Sequence, residues 1–232
     1  MAELSPVFIK AGKGEISEKV VVAGDSERTR MLAMLLERPK LVNRERFLVY
    51  TGFHKGEKIT VATHGIGMPS FAIAFEELAM LGAKRVVRLG TAGGLRPELE
   101  IGSLLVATAA ETKPGGTLWE YFPNMRKRIF YPNSKLTSSI YNTLKSGNEK
   151  VFKGKVLTVN AFYAEGKLLK ESDASAVEME CAALFKLARY RKVSAAAVLT
   201  ISDNPYTESE MKSSKDLWHS IKYAALKIFE TL

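Results

Sequence analysis

Three apolar runs constrain this chain more than any other feature: KVVVA at 19–23, RVVRL at 85–89 and SAAAVLTI at 194–201. Each reads as a buried strand, apolar along nearly its whole length. Helical patterns lie between such runs, from about Glu27 to Glu37, over Pro69–Leu81 with Gly82 as the stop, over Ser134–Lys145 and over Glu180–Tyr190. Phe47–Thr51 and Lys58–Thr63 are expected to pair antiparallel through the turn His54-Lys55-Gly56-Glu57, and Ser103–Thr108 and Val156–Val159 add strands. Gly90–Gly94 is expected to be a glycine-rich loop, and Pro114–Pro132 an irregular aromatic excursion. Thr207 with Glu210 is expected to form a capping box that opens a last helix running to the end. This alternation, unbroken by a low-complexity linker or a repeat, predicts one α/β domain over residues 1–232. The sheet is expected to be mixed, because a hairpin cannot be parallel.

Composition narrows the classes. At 232 residues the chain can bury a core, and 46% apolar with 25% charged residues excludes a disordered chain. The longest apolar stretches, such as SLLVATAA, fall short of the roughly 18 residues that span a membrane, so no membrane partner is expected. MAELSPVFIK lacks the basic-then-apolar order of a secretory signal. Cys181 stands alone, so no internal disulfide is expected, which suits a reducing cytoplasm. With only His54, His64 and His219 besides, no structural metal site is expected. The net charge of +9 fits a solvated lysine-rich surface and also an attraction for anions. Arg126, Lys127 and Arg128 sit beside Tyr121, Phe122 and Phe130, but no nucleic-acid-binding module surrounds them, and no nucleic acid is expected as partner.

Three segments carry chemistry. Gly24-Asp25-Ser26-Glu27-Arg28 follows a strand and opens a helix, so it is either a turn capped by Asp25 or Ser26, or an anion cradle closed by Arg28. Arg88 ends a buried strand beside Gly90 and Thr91, so its charge needs an acidic neighbour or a bound anion. Glu178 and Met179 precede a helix that Glu180 begins, and Asp203 closes the strand after it. Glu180 and Asp203 are either terminal charges of their elements or two carboxyls facing one pocket.

GDSER after a strand, then THGIGMPS, RLGTAGG, NAFYAE, VEMECAAL and TISDN, occur in one order over nearly the whole chain. Together they resemble the purine nucleoside phosphorylase and uridine phosphorylase family, in its small-subunit hexameric branch, and most of all the archaeal purine nucleoside and methylthioadenosine phosphorylases. The resemblance implies a three-layer α/β/α fold with a mixed central sheet. It implies phosphorolysis of the bond between a purine and ribose, with phosphate as co-substrate and no metal or organic cofactor. Phosphate would be held by Gly24, Arg28, Arg88 and Thr91, with Arg46 (rather than Arg44) lent by a neighbouring subunit. Met179 would pack on the sugar, Glu180 would bind its 2′ and 3′ hydroxyls, Phe162 would stack on the base, and Asp203 would protonate the purine. That last role requires burial or hydrogen bonding to favour the protonated carboxyl. The working unit would be a homohexamer built as a trimer of dimers.

Two departures stand out. Bacterial members carry an arginine after the aspartate, whereas no arginine follows Arg191 here; Lys212 or Lys215 substitutes, or Asp203 acts unaided. Phe8 occupies the position of a histidine that meets the 5′-hydroxyl from an adjacent subunit, which suits a 5′-methylthio group. The chain contains no glutamine and NAFYAEGKLLKE no arginine, and these are the residues that uridine phosphorylases use to read uracil. Retention of Arg28, Arg46 and Arg88 favours phosphate over the water of a hydrolytic methylthioadenosine or adenosylhomocysteine nucleosidase. Retention of Glu180 and Asp203 speaks against a non-catalytic binding protein.

Overall fold

The computed structural model describes residues 5–147, 149–164, 172–207 and 210–232. KVVVA forms β1 (Lys19–Ala23), and the ladder beside it follows from the same apolar logic. β1 pairs in parallel with β5 (Arg85–Gly94) on one side and β4 (Glu57–Thr63) on the other. β4 turns back into β3 (Val49–His54), and β3 pairs with β2 (Glu37–Asn43) at the edge. On the far side of β5 the sheet curls. β10 (Ser194–Asp203) pairs with both β5 and β6 (Leu104–Thr112), β6 with β8 (Val151–Thr158), and β8 with β9 (Ala176–Glu178), which returns to β5. A short β7 (Ile129–Phe130) hangs on β6. The sheet is mixed, as the hairpin required.

Helices cover both faces. α2 (Gly67–Met80) and α5 (Cys181–Arg191) pack Phe71, Phe75, Leu184 and Leu187 against one face, with the small α3 (Thr117–Tyr121) nearby. α1 (Ser26–Ala33), α4 (Ser134–Lys145) and α6 (Trp218–Thr231) pack Leu32, Ile140, Leu144 and Ile221 against the other. Strand alternation sorts β5 between these layers: Val86 enters the first core, and Val87 and Leu89 the second. Arg88 shares the parity of Val86, and its guanidinium meets Glu180 and Cys181 at the start of α5. No helix among the described residues is long and apolar enough to cross a membrane.

Four expectations need correction. The first helix stops at Ala33, not Glu37, and the polar stretch ERPKLVN is strand β2. An edge strand needs no apolar face, and Pro39 sits where the register shifts between Glu37 and Lys40, so the pattern that marks a buried strand is missing. Gly90–Gly94 is the end of β5 rather than a loop, because β10 pairs along it as far as Gly93 and β9 pairs with Gly93 and Gly94. β8 begins at Val151, five residues before the expected start. Thr207 closes a turn back to Asn204 and does not open the last helix, which starts at Trp218. Residues 208 and 209, inside the supposed capping box, lie outside the described residues.

Gly52 is where the missed strand meets its neighbour. A Cβ there would stand 2.9 Å from both the Glu37 carbonyl oxygen and Leu36 Cβ. Gly52→Ala is therefore expected to push β2 off β3 and to cost about 1–3 kcal/mol in denaturant unfolding. Unchanged stability would show that β2 does not pack as described.

Candidate active site

β1, β5 and β10 run parallel, so their carboxyl ends open on one side of the sheet, where α/β proteins gather ligands. A cavity of about 700 Å³ lies there. Eight sequence-predicted site residues line it: Gly24, Arg28, Arg88, Thr91, Phe162, Met179, Glu180 and Asp203. Phe8 and Arg46 do not. They lie together elsewhere, with the Arg46 guanidinium 5.6 Å from the centre of the Phe8 ring.

The floor is a buried charge cluster. Arg88 is 4% exposed, and its guanidinium contacts Glu180 and stands 3.4 Å from Glu178. Burial works against the charge of Arg88, but Glu180, Cys181 and Glu178 more than offset it and hold the guanidinium firmly protonated. Gly90 makes this arrangement possible, since a Cβ there would stand 2.6 Å from Arg88 Cζ. Glu178 Oε2 accepts the backbone N–H groups of Glu180 at 2.7 Å and Cys181 at 2.9 Å, so it caps α5. Burial pushes the Glu178 carboxyl up. Glu180 Oε1 accepts the Gly67 N–H at 2.6 Å. Burial pushes Glu180 up too, but Arg88, His64 and that N–H prevail and leave its carboxyl below the usual range. Arg88 Nε, also buried, has no hydrogen-bond partner among the described residues. It is a buried donor that this network leaves unused.

Arg28 forms the second cationic wall. Asp25 caps α1 through the Arg28 N–H at 2.6 Å and also pairs with the Arg28 guanidinium at 3.1 Å. The cap and the anion cradle thus coexist in one turn. The guanidinium donates to Ser214 Oγ from Nε at 3.2 Å and from Nη2 at 3.0 Å. Burial lowers the affinity of Arg28 for its proton, Asp25 opposes this, and the nearby Arg88 adds repulsion. Two buried guanidinium groups that repel across a cavity are relieved by an anion between them.

In the same cavity, Asp203 Oδ1 accepts the Ser202 hydroxyl at 2.7 Å. The missing side chain of Gly93 leaves space for the other oxygen, as a Cβ there would lie 3.0 Å from Oδ2. Of the two lysines weighed as partners for Asp203, Lys212 lines the cavity, whereas Lys215 pairs with Glu27 at 3.1 Å. Phe162 stands at the mouth, 44% exposed. Residues 165–171, including the last glutamate of the NAFYAE motif, lie outside the described residues.

Sequence reasoning gave no separate role to Glu178, Ser214 or His64. The signal for Glu178 was its place at the end of an apolar strand, just before a helix start that its carboxylate can cap. Ser214 offered none. His64 is fully buried, and neither ring nitrogen has a partner among the described residues. Burial chiefly, against the pull of Glu180, lowers its pKa from 6.5 to about 4. The folded imidazole stays neutral while the unfolded one takes a proton below 6.5. Stability is therefore expected to fall by up to about 3 kcal/mol as pH drops from 6.5 to 4. Unfolding curves of wild type and His64→Phe across that window check this. Equal slopes would contradict it.

The comparisons with known proteins agree with the geometry. Residues 18–227 match the phosphorylase superfamily. A DeoD-type purine nucleoside phosphorylase of Clostridium perfringens is 34% identical over 218 residues, covering 90% of this chain and 91% of the relative. One of Bacillus cereus is 33% identical over 223 residues, covering 90% and 91%. Among solved structures, a uridine phosphorylase from Vibrio fischeri has a TM-score of 0.86 at 27% identity, covering 100% of this chain and 98% of that one. The purine nucleoside phosphorylase of Toxoplasma gondii, in complex with immucillin-H, shares the fold with a TM-score of 0.86 at 24% identity, covering 98% and 94%. The chain belongs to the phosphorylase superfamily, among its nucleoside phosphorylases.

Proposed function

We propose that the chain is a purine nucleoside phosphorylase that accepts 5′-methylthioadenosine, and that it works as a cytoplasmic homohexamer, a trimer of dimers with pockets shared between protomers. The observation that carries the reading is the pair of buried guanidinium groups, Arg28 and Arg88, on one cavity with Glu180 and Asp203. Phosphate sits between the arginines, takes N–H groups from Gly24 and Thr91, and receives Arg46 from a second copy. The site then holds the nucleophile under the anomeric carbon of the sugar. Met179 packs on the ribose. Glu180, already bonded to Gly67 and Arg88, keeps lone pairs free for the 2′ and 3′ hydroxyls. Phe162 stacks on the purine.

Phosphate oxygen forms the new bond to the anomeric carbon as the bond to the purine breaks. The electron pair of that bond goes to the base. Asp203 gives its proton to N7, so the base leaves neutral and ribose 1-phosphate remains. Positive charge on the ribose develops beside the phosphate, which stabilises it. No metal or organic cofactor takes part. Phe8, lent by a second copy, presents an apolar surface to the 5′ substituent, and Lys212, which lines the same cavity as Asp203, assists it.

The test is base release from adenosine, inosine, guanosine, uridine and methylthioadenosine, with and without phosphate. Release is expected from the purine nucleosides alone and only with phosphate, with kcat/KM for methylthioadenosine at least equal to that for adenosine. Release without phosphate, or from uridine in preference, would contradict the reading. Asp203→Asn is expected to lower kcat on natural purine nucleosides by about 100-fold or more and to leave phosphate binding unchanged. Unchanged turnover would remove Asp203 from the mechanism.

A further inference from the structure

The two residues absent from the cavity of their own chain, Phe8 and Arg46, are held by two buried side chains that have no part in the chemistry above. Glu77 lies on α2 and is 6% exposed. Its carboxylate accepts three consecutive backbone N–H groups from the N-terminal segment, seventy positions away in sequence at most. Val7 donates to Oε1 at 2.9 Å, Phe8 to both oxygens at 3.1 and 3.0 Å, and Ile9 to Oε2 at 2.6 Å. No lysine or arginine among the described residues pairs with Glu77, whereas its neighbour Glu76 is taken by Arg191. Its acceptor capacity goes to this strap. Charged acceptors make the stronger kind of hydrogen bond, and three donors on one carboxylate fix the backbone direction.

Asn43, 5% exposed at the end of β2, ties the strap to the turn that carries Arg46. Its Oδ1 accepts the Lys10 N–H at 3.1 Å. Its Nδ2 donates to the carbonyls of Glu45 at 2.8 Å and Phe47 at 2.7 Å. Within that turn Arg46 adopts a φ of +53°, a left-handed conformation that a side chain other than glycine keeps only under local constraint. Phe8 then packs edge-on against Phe47 at 6.2 Å, under the Arg46 guanidinium. A buried carboxylate and a buried amide thus present an exposed cation and an aromatic ring as one unit.

We propose that Glu77 and Asn43 are positioning residues: Glu77 sets Phe8 for the 5′ end of the nucleoside in a second copy's cavity, and Asn43 sets Arg46 for its phosphate. This rests on the reading that Phe8 and Arg46 are lent across an interface. Neither side chain touches substrate. Among the described residues the Glu77 carboxylate bonds only to the Phe8 segment, whereas both N–H groups that Asn43 donates go to the Arg46 turn. Loss of Glu77 therefore falls chiefly on the 5′ substituent, and loss of Asn43 chiefly on phosphate.

The test compares Glu77→Gln, Asn43→Ala and Phe8→Ala in the assembled enzyme, with KM for phosphate and the ratio of kcat/KM for methylthioadenosine to that for adenosine. Glu77→Gln places an amide N–H₂ against backbone donors, and is expected to change the substrate ratio about tenfold, as Phe8→Ala does, with KM for phosphate within about twofold. Asn43→Ala is expected to raise KM for phosphate about tenfold. Glu77→Asp, which keeps the carboxylate, is expected to restore part of the ratio, and it carries the same comparison if Glu77→Gln fails to assemble. A ratio altered by Phe8→Ala but untouched by the Glu77 variants overturns the role of Glu77 alone. A ratio untouched by all of them overturns the lending of Phe8, and the proposal with it.

Discussion

The site depends on the burial of one guanidinium. Arg88 sits inside the sheet because its strand is apolar on both sides of it, and a lone cation there would be untenable. Glu178 and Glu180 make it tenable, and each does a second job. Glu178 caps α5 through two backbone N–H groups, and Glu180 fixes the Gly67 turn that starts α2. One ion cluster therefore ties β5, β9, α2 and α5 together. Its cost in desolvation is offset by helix-end and backbone hydrogen bonds that would otherwise be unmade. The protein keeps an unspent donor, Arg88 Nε, at the heart of that network.

Small residues give the cluster its room. Gly90 lets Arg88 fold back along its own strand, and Gly93 leaves space for Asp203. The RLGTAGG stretch is thus strand sequence with its side chains removed where the functional groups of neighbours must pass. That accounts for its double character. It looks like a loop by composition and is paired as strand by hydrogen bonding, with β10 as far as Gly93 and with β9 at Gly93 and Gly94.

This double character marks the limit of what the sequence disclosed. Buried parallel strands were legible because burial on both faces leaves a continuous apolar run, as in KVVVA and SAAAVLTI. The GDSER turn was legible because a strand, a glycine and a helix start occur in a fixed order. β2 was not, since an edge strand with Pro39 at a register shift carries no apolar face to read. Motif order brought Gly24, Arg88, Glu180 and Asp203 to the same cavity in advance. It did not disclose the internal pairing of Arg88 with Glu178, which depends on β9 closing back onto β5. Nor could it disclose His64, whose significance lies wholly in what surrounds it.

The most direct measurement is a crystal structure of the assembled protein grown with phosphate. One phosphate per cavity is expected, within hydrogen-bond distance of Arg28, Arg88, Thr91 and the Gly24 backbone, with Arg46 of a second copy closing over it. A cavity that stays free of phosphate, or an ion bound away from Arg28 and Arg88, would contradict the account.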